Sequence, residues 1–291
     1  LDGKCTSSSD RCLGLEIGDG SGSLGSVTMT NSTIQNCTVV NQHGAGAIVY
    51  GSSSLVMNSS HLRNCANAST ATLGGSGGGI YVYSSGSVAM NNSSTLENCT
   101  AVENGGGVYL EDSAKLTMDQ SSLTGCNAQG NGGGVYVSSG ASVTMTGSSK
   151  LENCTAAKNG GGVYVSSRAS VTMNNSSTLE KCIAVENGGG VYLESYGTLT
   201  MHQSSLTDCK AQGNGGGVYV SSSASVTMNG SSKLENCTAT GNGGGAYLNG
   251  YNSKLTLNSS TLTGCEAQGD GGGVYLTGTY AVLTMYGGQI T

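Results

Sequence analysis

The sequence predicts an all-β protein, a right-handed single-stranded parallel β-helix of about ten turns with 27–28 residues per turn. Three observations predict this fold. One cysteine returns every 27 or 28 residues over most of the chain, and a cluster of glycines returns with it. Each repeat also contains three short apolar runs, none long enough for a helix. Parallel crossover connections are strongly biased to the right-handed form. The prediction divides the chain into an N-terminal cap, residues 1–25, and a repeat domain, residues 26–291.

Nine cysteines mark the repeat with the pattern Leu-x-x-Cys, in which Ile34 replaces Leu once. The step is larger only between Cys65 and Cys99, where "NASTATLGGSGGG" is interpreted as a loop insertion. Buried free thiols are one interpretation of the column, because cysteine packs as a small hydrophobic residue. Disulfides between adjacent turns are the alternative, since strand neighbours fall within the permitted Cα separation. The predicted column is Cys37, Cys65, Cys99, Cys126, Cys154, Cys182, Cys209, Cys237 and Cys265.

Alternation within the apolar runs predicts which side chains enter the core. In "VYL" at 108–110, Val108 and Leu110 are expected to face inward and Tyr109 outward, as in any strand. In the third run, Leu96 and Cys99 are expected on both sides of a corner, with both side chains turned inward. Copies of one position then stack above each other in successive turns.

The "NGGG" corners between these runs indicate a backbone that needs positive φ or close approach, which glycine permits because it has no Cβ. Replacement of Gly133 by valine is therefore expected to disrupt its turn.

A tyrosine recurs in the centre of the first run of each repeat and is predicted to point outward. Such residues are expected to form stacked cross-strand pairs. Eight exposed rings in a row would also provide a platform for sugars or for a partner subunit. The predicted column is Tyr81, Tyr109, Tyr136, Tyr164, Tyr192, Tyr219, Tyr247 and Tyr275.

The repeat unit "NGGGVYV…VTMNGSSKLENCTA" resembles the repeats of chlamydial polymorphic outer membrane proteins and related bacterial and protist surface proteins. That family repeats a Gly-Gly-aliphatic element and a Phe-x-x-Asn element on a right-handed β-helix. This chain has the first element at 106–108 and 216–218, and has Leu96-x-x-Cys99 and its equivalents in place of the second. The resemblance covers residues 26–291. It implies a passenger-like surface domain used in adhesion or in building an exterior layer, and it does not imply catalysis.

Two further features bear on the compartment. Cys5 and Cys12 lie outside the column and are predicted to pair, which would join the cap and indicate an oxidising, extracellular setting. Asparagines in Asn-x-Ser/Thr sequences are predicted N-glycosylation sites if the source is eukaryotic. They are Asn31, Asn36, Asn58, Asn67, Asn91, Asn92, Asn98, Asn153, Asn174, Asn175, Asn229, Asn236 and Asn258.

Charge and composition argue against several classes of function. The net charge is −6 and the 11 Lys and Arg residues are scattered singly, which argues against a nucleic-acid partner. No apolar run approaches the length of a membrane span. A glycosidase or lyase needs one distinctive acidic cluster, but Glu97, Glu152, Glu180 and Glu235 occupy equivalent positions and are expected to form a solvated face. No catalytic residue, cofactor or metal site is predicted.

The sequence therefore predicts a non-catalytic extracellular protein, structural or adhesive, which forms fibres or serves as a cell-surface passenger domain. Expected partners are further copies of the chain or other surface subunits, with glycans or host-cell receptors as candidate ligands. The final "LTMYGGQIT" stops partway through a turn, which is expected either of end-to-end docking or of a chain that continues. The alternatives are a polysaccharide-binding or polysaccharide-cleaving enzyme and, with less support, an ice-binding protein with Ser-x-Thr columns.

Overall fold

Each repeat forms one turn of a parallel β-solenoid, and the turns stack into four sheets. The structure is a computed structural model and describes residues 14–18, 24–40, 42–68 and 74–291. Three sheets have ten strands and the fourth has nine, and every pairing between strands is parallel. The described ranges contain no helix, and so none that could cross a bilayer. The predicted all-β parallel solenoid is confirmed.

The tyrosine sheet contains three-residue strands and carries the tyrosine column. Its strands are Leu15–Ile17, Ala47–Val49, Ile80–Val82, Val108–Leu110, Val135–Val137, Val163–Val165, Val191–Leu193, Val218–Val220, Ala246–Leu248 and Val274–Leu276. Leu15–Ile17, inside the predicted cap, already pairs with Ala47–Val49. Most of the cap lies outside the described residues, so its boundary at residue 25 stays a prediction.

The threonine sheet contains the longest strands, and the chain enters it from the tyrosine sheet through a tight corner. Its strands are Ser26–Thr30, Ser54–Asn58, Ser87–Asn91, Lys115–Asp119, Ser142–Thr146, Ser170–Asn174, Thr198–His202, Ser225–Asn229, Lys254–Asn258 and Val282–Tyr286.

The third apolar run of each repeat contributes to two sheets, where the sequence predicted one strand. The glutamate sheet contains Thr33–Gln35, His61–Arg63, Thr95–Glu97, Ser122–Thr124, Lys150–Glu152, Thr178–Glu180, Ser205–Thr207, Lys233–Glu235, Thr261–Thr263 and Gln289–Ile290. The corner sheet contains Thr38–Val39, Ala66–Asn67, Thr100–Ala101, Asn127–Ala128, Thr155–Ala156, Ile183–Ala184, Lys210–Ala211, Thr238–Ala239 and Glu266–Ala267. The break falls at the residue before the cysteine, where Asn98 has φ 52° and Gly125 has φ 65°. Left-handed backbone cannot continue a strand, so the chain turns there.

The core is one continuous apolar column enclosed by the sheets. Val108, Leu110, Leu96 and Cys99 have no solvent exposure, whereas Tyr109 lies outside this cluster. The predicted alternation of inward and outward side chains is therefore confirmed at these positions. Because each turn buries its apolar residues against the turns above and below, the turns depend on one another for stability.

The loop insertion after Cys65 does not disturb the stack. Ala66 pairs with Thr100 in the next turn, although the two cysteines that precede them are 34 residues apart. Asn67 closes the base of the insertion, since its amide nitrogen donates to the carbonyls of Ser76 and Gly77 at 3.0 and 3.3 Å. Residues 69–73 of the insertion lie outside the described part.

The three glycines of a corner have different reasons to be glycine. Gly132 has φ +67°, in the left-handed region. A Cβ on Gly133 would lie 2.4 Å from the carbonyl oxygens of Gly161 and Thr155 in the next turn. A Cβ on Gly134 would come within 3.2 Å of the Cys154 sulfur. Close approach between turns, rather than positive φ, explains the second and third glycines.

Candidate interaction surfaces

The eight predicted tyrosines form one continuous stack along the tyrosine sheet. Neighbouring ring centroids are 4.8–5.5 Å apart, and the ring planes differ by no more than 20°. The prediction of exposed rings is wrong: Tyr81, Tyr164, Tyr219 and Tyr247 are only 8–9% exposed, and the other four are intermediate. Each ring covers the faces of its neighbours, so the stack shows edges and hydroxyls to solvent. Its role as an interface stays a prediction.

Polar groups beside the stack bind several of the phenols. The Tyr109 hydroxyl donates to Glu111 at 3.0 Å, and the Tyr164 hydroxyl donates to Glu194. The Asn249 amide donates to the Tyr219 oxygen at 3.1 Å. Burial raises the pKa of Tyr192 to about 12. The Tyr192 phenol is therefore neutral at physiological pH.

A histidine ends the stack on its N-terminal side. Ile48 occupies the tyrosine position of its turn and pairs with Tyr81. The His43 ring lies over Tyr81 instead, with centroids 4.3 Å apart. Burial lowers the pKa of His43, and its Nδ1 accepts from the Ser76 backbone N–H at 3.4 Å. His43 is therefore not an isolated surface residue, because its ring takes the place of the missing tyrosine.

The cysteine column is buried along its whole length. Cys65 and the seven cysteines after it have free thiols, so the structure does not show the disulfide alternative. The thiols point to nearby carbonyls; Cys154 donates to Glu152 at 3.6 Å, and Cys237 donates to Glu235 at 3.5 Å. The neighbouring thiols and burial raise the pKa of Cys99 and Cys209. The Cys99 and Cys209 thiols are protonated at neutral pH and are therefore poor nucleophiles and metal ligands.

An asparagine ladder that was not predicted from the sequence runs beside the glycine corners. Each asparagine side-chain oxygen accepts from the backbone N–H of the equivalent residue in the next turn, at 2.6–3.1 Å. Several side-chain amides also bond to each other, as Asn159 to Asn131 at 3.2 Å. The signal was present, because an acidic or amide residue precedes every "GGG" from the fourth repeat on. The ladder is Asn104, Asn131, Asn159, Asn187, Asn214, Asn242 and Asp270.

A buried serine column is the second missed feature, and its members stand five residues before each column cysteine. The Ser60 N–H donates to the Ser94 hydroxyl at 3.1 Å, and the Ser121 N–H donates to the Ser149 hydroxyl at 3.2 Å. The hydroxyls in turn donate to carbonyls two or three residues earlier. These bonds give hydrogen-bond partners to the polar groups of the corner that would otherwise be buried without one. The column includes Ser60, Ser94, Ser121, Ser149, Ser177, Ser204, Ser232 and Ser260, all at most 4% exposed.

The four glutamates occupy equivalent, partly exposed positions on the glutamate sheet, as predicted for a solvated face. Thr124 and Thr207 interrupt the column, so only Glu152 and Glu180 are neighbours. Glu152 and Glu180 are register partners in adjacent turns. The Lys150 ammonium lies between them, 3.1 Å from Glu152 and 2.7 Å from Glu180. Lys150 and Lys181 lower the pKa of Glu180, so this carboxylate is ionised near neutral pH.

The threonine sheet presents flat hydroxyl columns. In its central outward column, threonine is unbroken over the last seven strands: Thr117, Thr144, Thr172, Thr200, Thr227, Thr256 and Thr284. A second outward column on this sheet, which contains Ser142, Ser170 and Ser225, is distinct from the buried serine column. Lys115 and Lys254 interrupt it, and both are exposed.

The predicted glycosylation asparagines differ widely in exposure. Asn31, Asn92, Asn98, Asn153, Asn175 and Asn236 are exposed, and six others are intermediate. The prediction for Asn67 is wrong for the folded chain, because this residue is 3% exposed and its amide is bonded to backbone carbonyls. The intermediate sites are Asn36, Asn58, Asn91, Asn174, Asn229 and Asn258.

Backbone geometry explains much of the asparagine pattern without glycans. Asn98, Asn153 and Asn236 have φ of 51–54°, and asparagine tolerates this left-handed region better than most residues.

The predicted disulfide partners Cys5 and Cys12 lie outside the described residues.

These observations define a β-helix protein whose surfaces are continuous columns of equivalent residues. The family model described as the right-handed β-helix region matches residues 3–149, 74–233 and 143–291. Because these matches together span almost the whole chain, the protein belongs to the right-handed β-helix family. No curated protein and no solved structure matches the chain.

Proposed function

We propose that the chain is a non-catalytic extracellular β-helix rod with a structural or adhesive role. One observation carries the proposal: tyrosine, cysteine, asparagine and serine columns repeat the same contacts in turn after turn. Ten stacked strands at the usual spacing give a rod on the order of 45 Å long. A surface that is the same at every level suits repeated contacts with an extended partner.

Two further observations support a place at the cell surface. Six predicted glycosylation asparagines are exposed in the folded chain. The glycine element and the Leu-x-x-Cys element resemble the repeats of polymorphic outer membrane proteins, which are surface proteins. The predicted association of copies with each other or with other surface subunits belongs to the same proposal.

The alternative of a polysaccharide-cleaving enzyme can be weighed at the glutamate column. Glu152 and Glu180 lie on adjacent strands, and a retaining glycosidase uses two carboxyl groups about 5 Å apart. One of the two must hold a proton, which requires a raised pKa. Lys150 binds both carboxylates and lowers the pKa of Glu180. This pair is better suited to an ion-pair role than to acid catalysis.

The proposal is tested by adhesion and turnover measured on the same preparation. A structural or adhesive rod is expected to bind cells or glycans, or to form filaments seen by negative stain, without releasing reducing sugar ends. Sugar release that is lost in Glu152→Gln would overturn it. So would a protein that stays monomeric by sedimentation and binds neither cells nor glycans.

Ice binding is a second candidate because of the unbroken threonine column from Thr117 to Thr284. It predicts thermal hysteresis that is lost when a central threonine such as Thr172 is replaced by a bulkier residue. The lysines Lys115 and Lys254 beside this column weigh against it.

A further inference from the structure

The corner between the tyrosine and threonine sheets is built on left-handed backbone. In most turns two successive residues have positive φ, as at Ser84 and Ser85 (55° and 67°) or Ser222 and Ser223 (48° and 63°). Small or polar residues suit this conformation, because a bulky side chain there is a conformational outlier. Serine, glycine and aspartate occupy most of these positions.

Four positions of the same corner carry large side chains instead. Arg168, Tyr196 and Tyr280 have φ of 63°, 65° and 59°, and Tyr251 precedes Asn252, which has φ 57°. Backbone hydrogen bonds run from Arg168 to Ser195, from Tyr196 to Ser222, from Ser223 to Tyr251 and from Asn252 to Thr279. Arg168, Tyr196 and Tyr280 therefore share one column of the corner, and Tyr251 lies in the column next to it. We name these positions the corner strip, comprising Arg168, Tyr196, Tyr251 and Tyr280. Bulky residues in unfavourable backbone indicate a requirement other than folding.

The rings of the corner strip differ from those of the tyrosine stack. Tyr196, Tyr251 and Tyr280 are 59%, 61% and 69% exposed. The Arg168 guanidinium lies 5.6 Å from the centroid of the Tyr196 ring, and Tyr251 meets Tyr280 edge to face at 5.4 Å. On one side Arg168 lies over the Tyr196 ring and Tyr280 contacts the Tyr251 ring. On the other side the equivalent residues are Ser223 and Ser222, so neither ring is part of a continuous stack. The strip therefore presents aromatic faces to solvent at one corner of the rod.

We propose that the corner strip binds a polysaccharide chain laid along the rod axis. Tyr196 and Tyr251 lie two turns apart, which is about 9.5 Å at the ordinary strand spacing. The exposed Ser222 and the hydroxyl of Ser223 lie between them. Sugar rings have flat C–H faces that stack on aromatic rings and hydroxyl rims that need hydrogen-bonding partners. Alternating rings and hydroxyls along the strip match that chemistry.

The dimensions and charge of the strip favour a sugar chain over other polymers. Four strand steps from Arg168 to Tyr280 span about 19 Å, and the strip is only two residues wide. A stable protein interface needs about 800 Å² from each partner. Single-stranded nucleic acid also stacks on aromatic rings but requires a positively charged groove, and Arg168 is the one cation of the strip in a chain of net charge −6. This inference rests on the proposed adhesive function and assigns it a ligand class and a site.

The repeats themselves supply the test variants. Tyr196→Ser and Tyr251→Ser install the residue that Ser223 and Ser222 provide in the intervening turn, so both should fold. Tyr286→Asn is the matched control, because Tyr286 is 64% exposed, lies on the threonine sheet and pairs in register with Asn258. Wild type and variants are run in native gels containing hydroxyethylcellulose, glycol chitin or polygalacturonate. Circular dichroism checks the fold of each.

Retardation of the wild type by at least one polysaccharide is expected. By comparison with bases stacked on aromatic rings, either single variant should weaken binding on the order of tenfold, and the double variant more. Tyr286→Asn should bind as the wild type. Absence of retardation in all three gels overturns the inference. Retardation that persists in the folded double variant also overturns the assignment of the binding site to the corner strip. The proposed adhesive function would not be contradicted by that result. Adhesion to cells that depends on the strip without polysaccharide binding would indicate a protein partner and overturn it as well.

Discussion

Tyr109 and Tyr136 stack almost parallel, with ring centroids 4.8 Å apart and planes that differ by 2°. They are register partners in adjacent strands of the tyrosine sheet. Since the centroid distance equals the ordinary separation of paired strands, backbone pairing alone places one ring over the next. The stack therefore depends on the register of the turns, and its integrity can be used to measure that register.

Replacing Tyr136 by alanine is expected to lower the free energy of unfolding by about 1–3 kcal/mol, because the variant loses ring contacts with both Tyr109 and Tyr164. Urea unfolding followed by far-UV circular dichroism measures the loss. Tyr136→Phe is the control, since it keeps the ring and removes only the hydroxyl. If both variants were as stable as the wild type, the stack would contribute nothing to stability.

The second glycine of a corner should tolerate no side chain. Gly133→Ala is expected to destabilise the protein by about 3 kcal/mol or more, because its Cβ would lie 2.4 Å from backbone oxygens of the next turn. Gly140→Ser is the matched control. Gly140 has positive φ but open space around it, and Ser113 holds the equivalent place with φ 63°. The control should lie within about 0.5 kcal/mol of the wild type. Equal melting temperatures for both variants would contradict this explanation of the corner.

Replacing one asparagine of the ladder is expected to remove the hydrogen bond of one particular backbone N–H. The Asn131 side-chain oxygen accepts from the N–H of Asn159 at 3.1 Å. Asn131→Leu removes this acceptor and should cost about 1–3 kcal/mol of unfolding free energy. Hydrogen exchange at the Asn159 amide should become faster in Asn131→Leu. Asn131→Asp keeps an acceptor oxygen at this position and should retain protection. Unchanged exchange in both variants would show that the ladder does not hold this N–H.

The sequence predicted the features of the fold that follow from periodicity. Repetition of Leu-x-x-Cys and of alternating "VYL" runs was sufficient to place Val108, Leu110 and Cys99 in the core. A corner between Leu96 and Cys99 was expected, but not that it divides the third run between two sheets. The φ of 52° at Asn98, which ends the strand, is not visible in composition.

The surfaces were harder to predict than the core. The side chains of Tyr81 and its equivalents point outward, as predicted. Their exposure to solvent, however, depends on whether a neighbouring ring covers the face of each ring. Among the described residues, the tyrosines with more than half of their surface exposed lie outside the tyrosine column: Tyr196, Tyr251, Tyr280 and Tyr286. A departure from the repeat was therefore a better indicator of an open surface than the repeat itself.

We expect the thiols of the buried cysteine column to react only after the protein unfolds. Cys99 and Cys209 are fully buried and their pKa is raised by neighbouring thiols and burial, so iodoacetamide should not label them in the native protein at neutral pH. In urea, the cysteines from Cys65 onward should all be labelled, as peptide mass spectrometry would show. If the column instead held disulfides between turns, those peptides would stay unlabelled in urea until a reductant was added.

Alkaline pH should weaken the tyrosine stack. Burial raises the pKa of Tyr192 to about 12 in the folded protein, whereas a tyrosine in an unfolded chain ionises near pH 10. The group is held neutral by folding, so its contribution to stability is complete below about pH 10 and is lost as the pH rises towards about 12. Ultraviolet absorbance of the phenolate, compared between the wild type and Tyr192→Phe, should show this residue ionising above pH 10, together with a fall in the urea midpoint over the same interval. If the difference between the two proteins instead titrated near pH 10 while the fold persisted, the Tyr192 phenol would not be shielded by its neighbours, and the stack would be open to water.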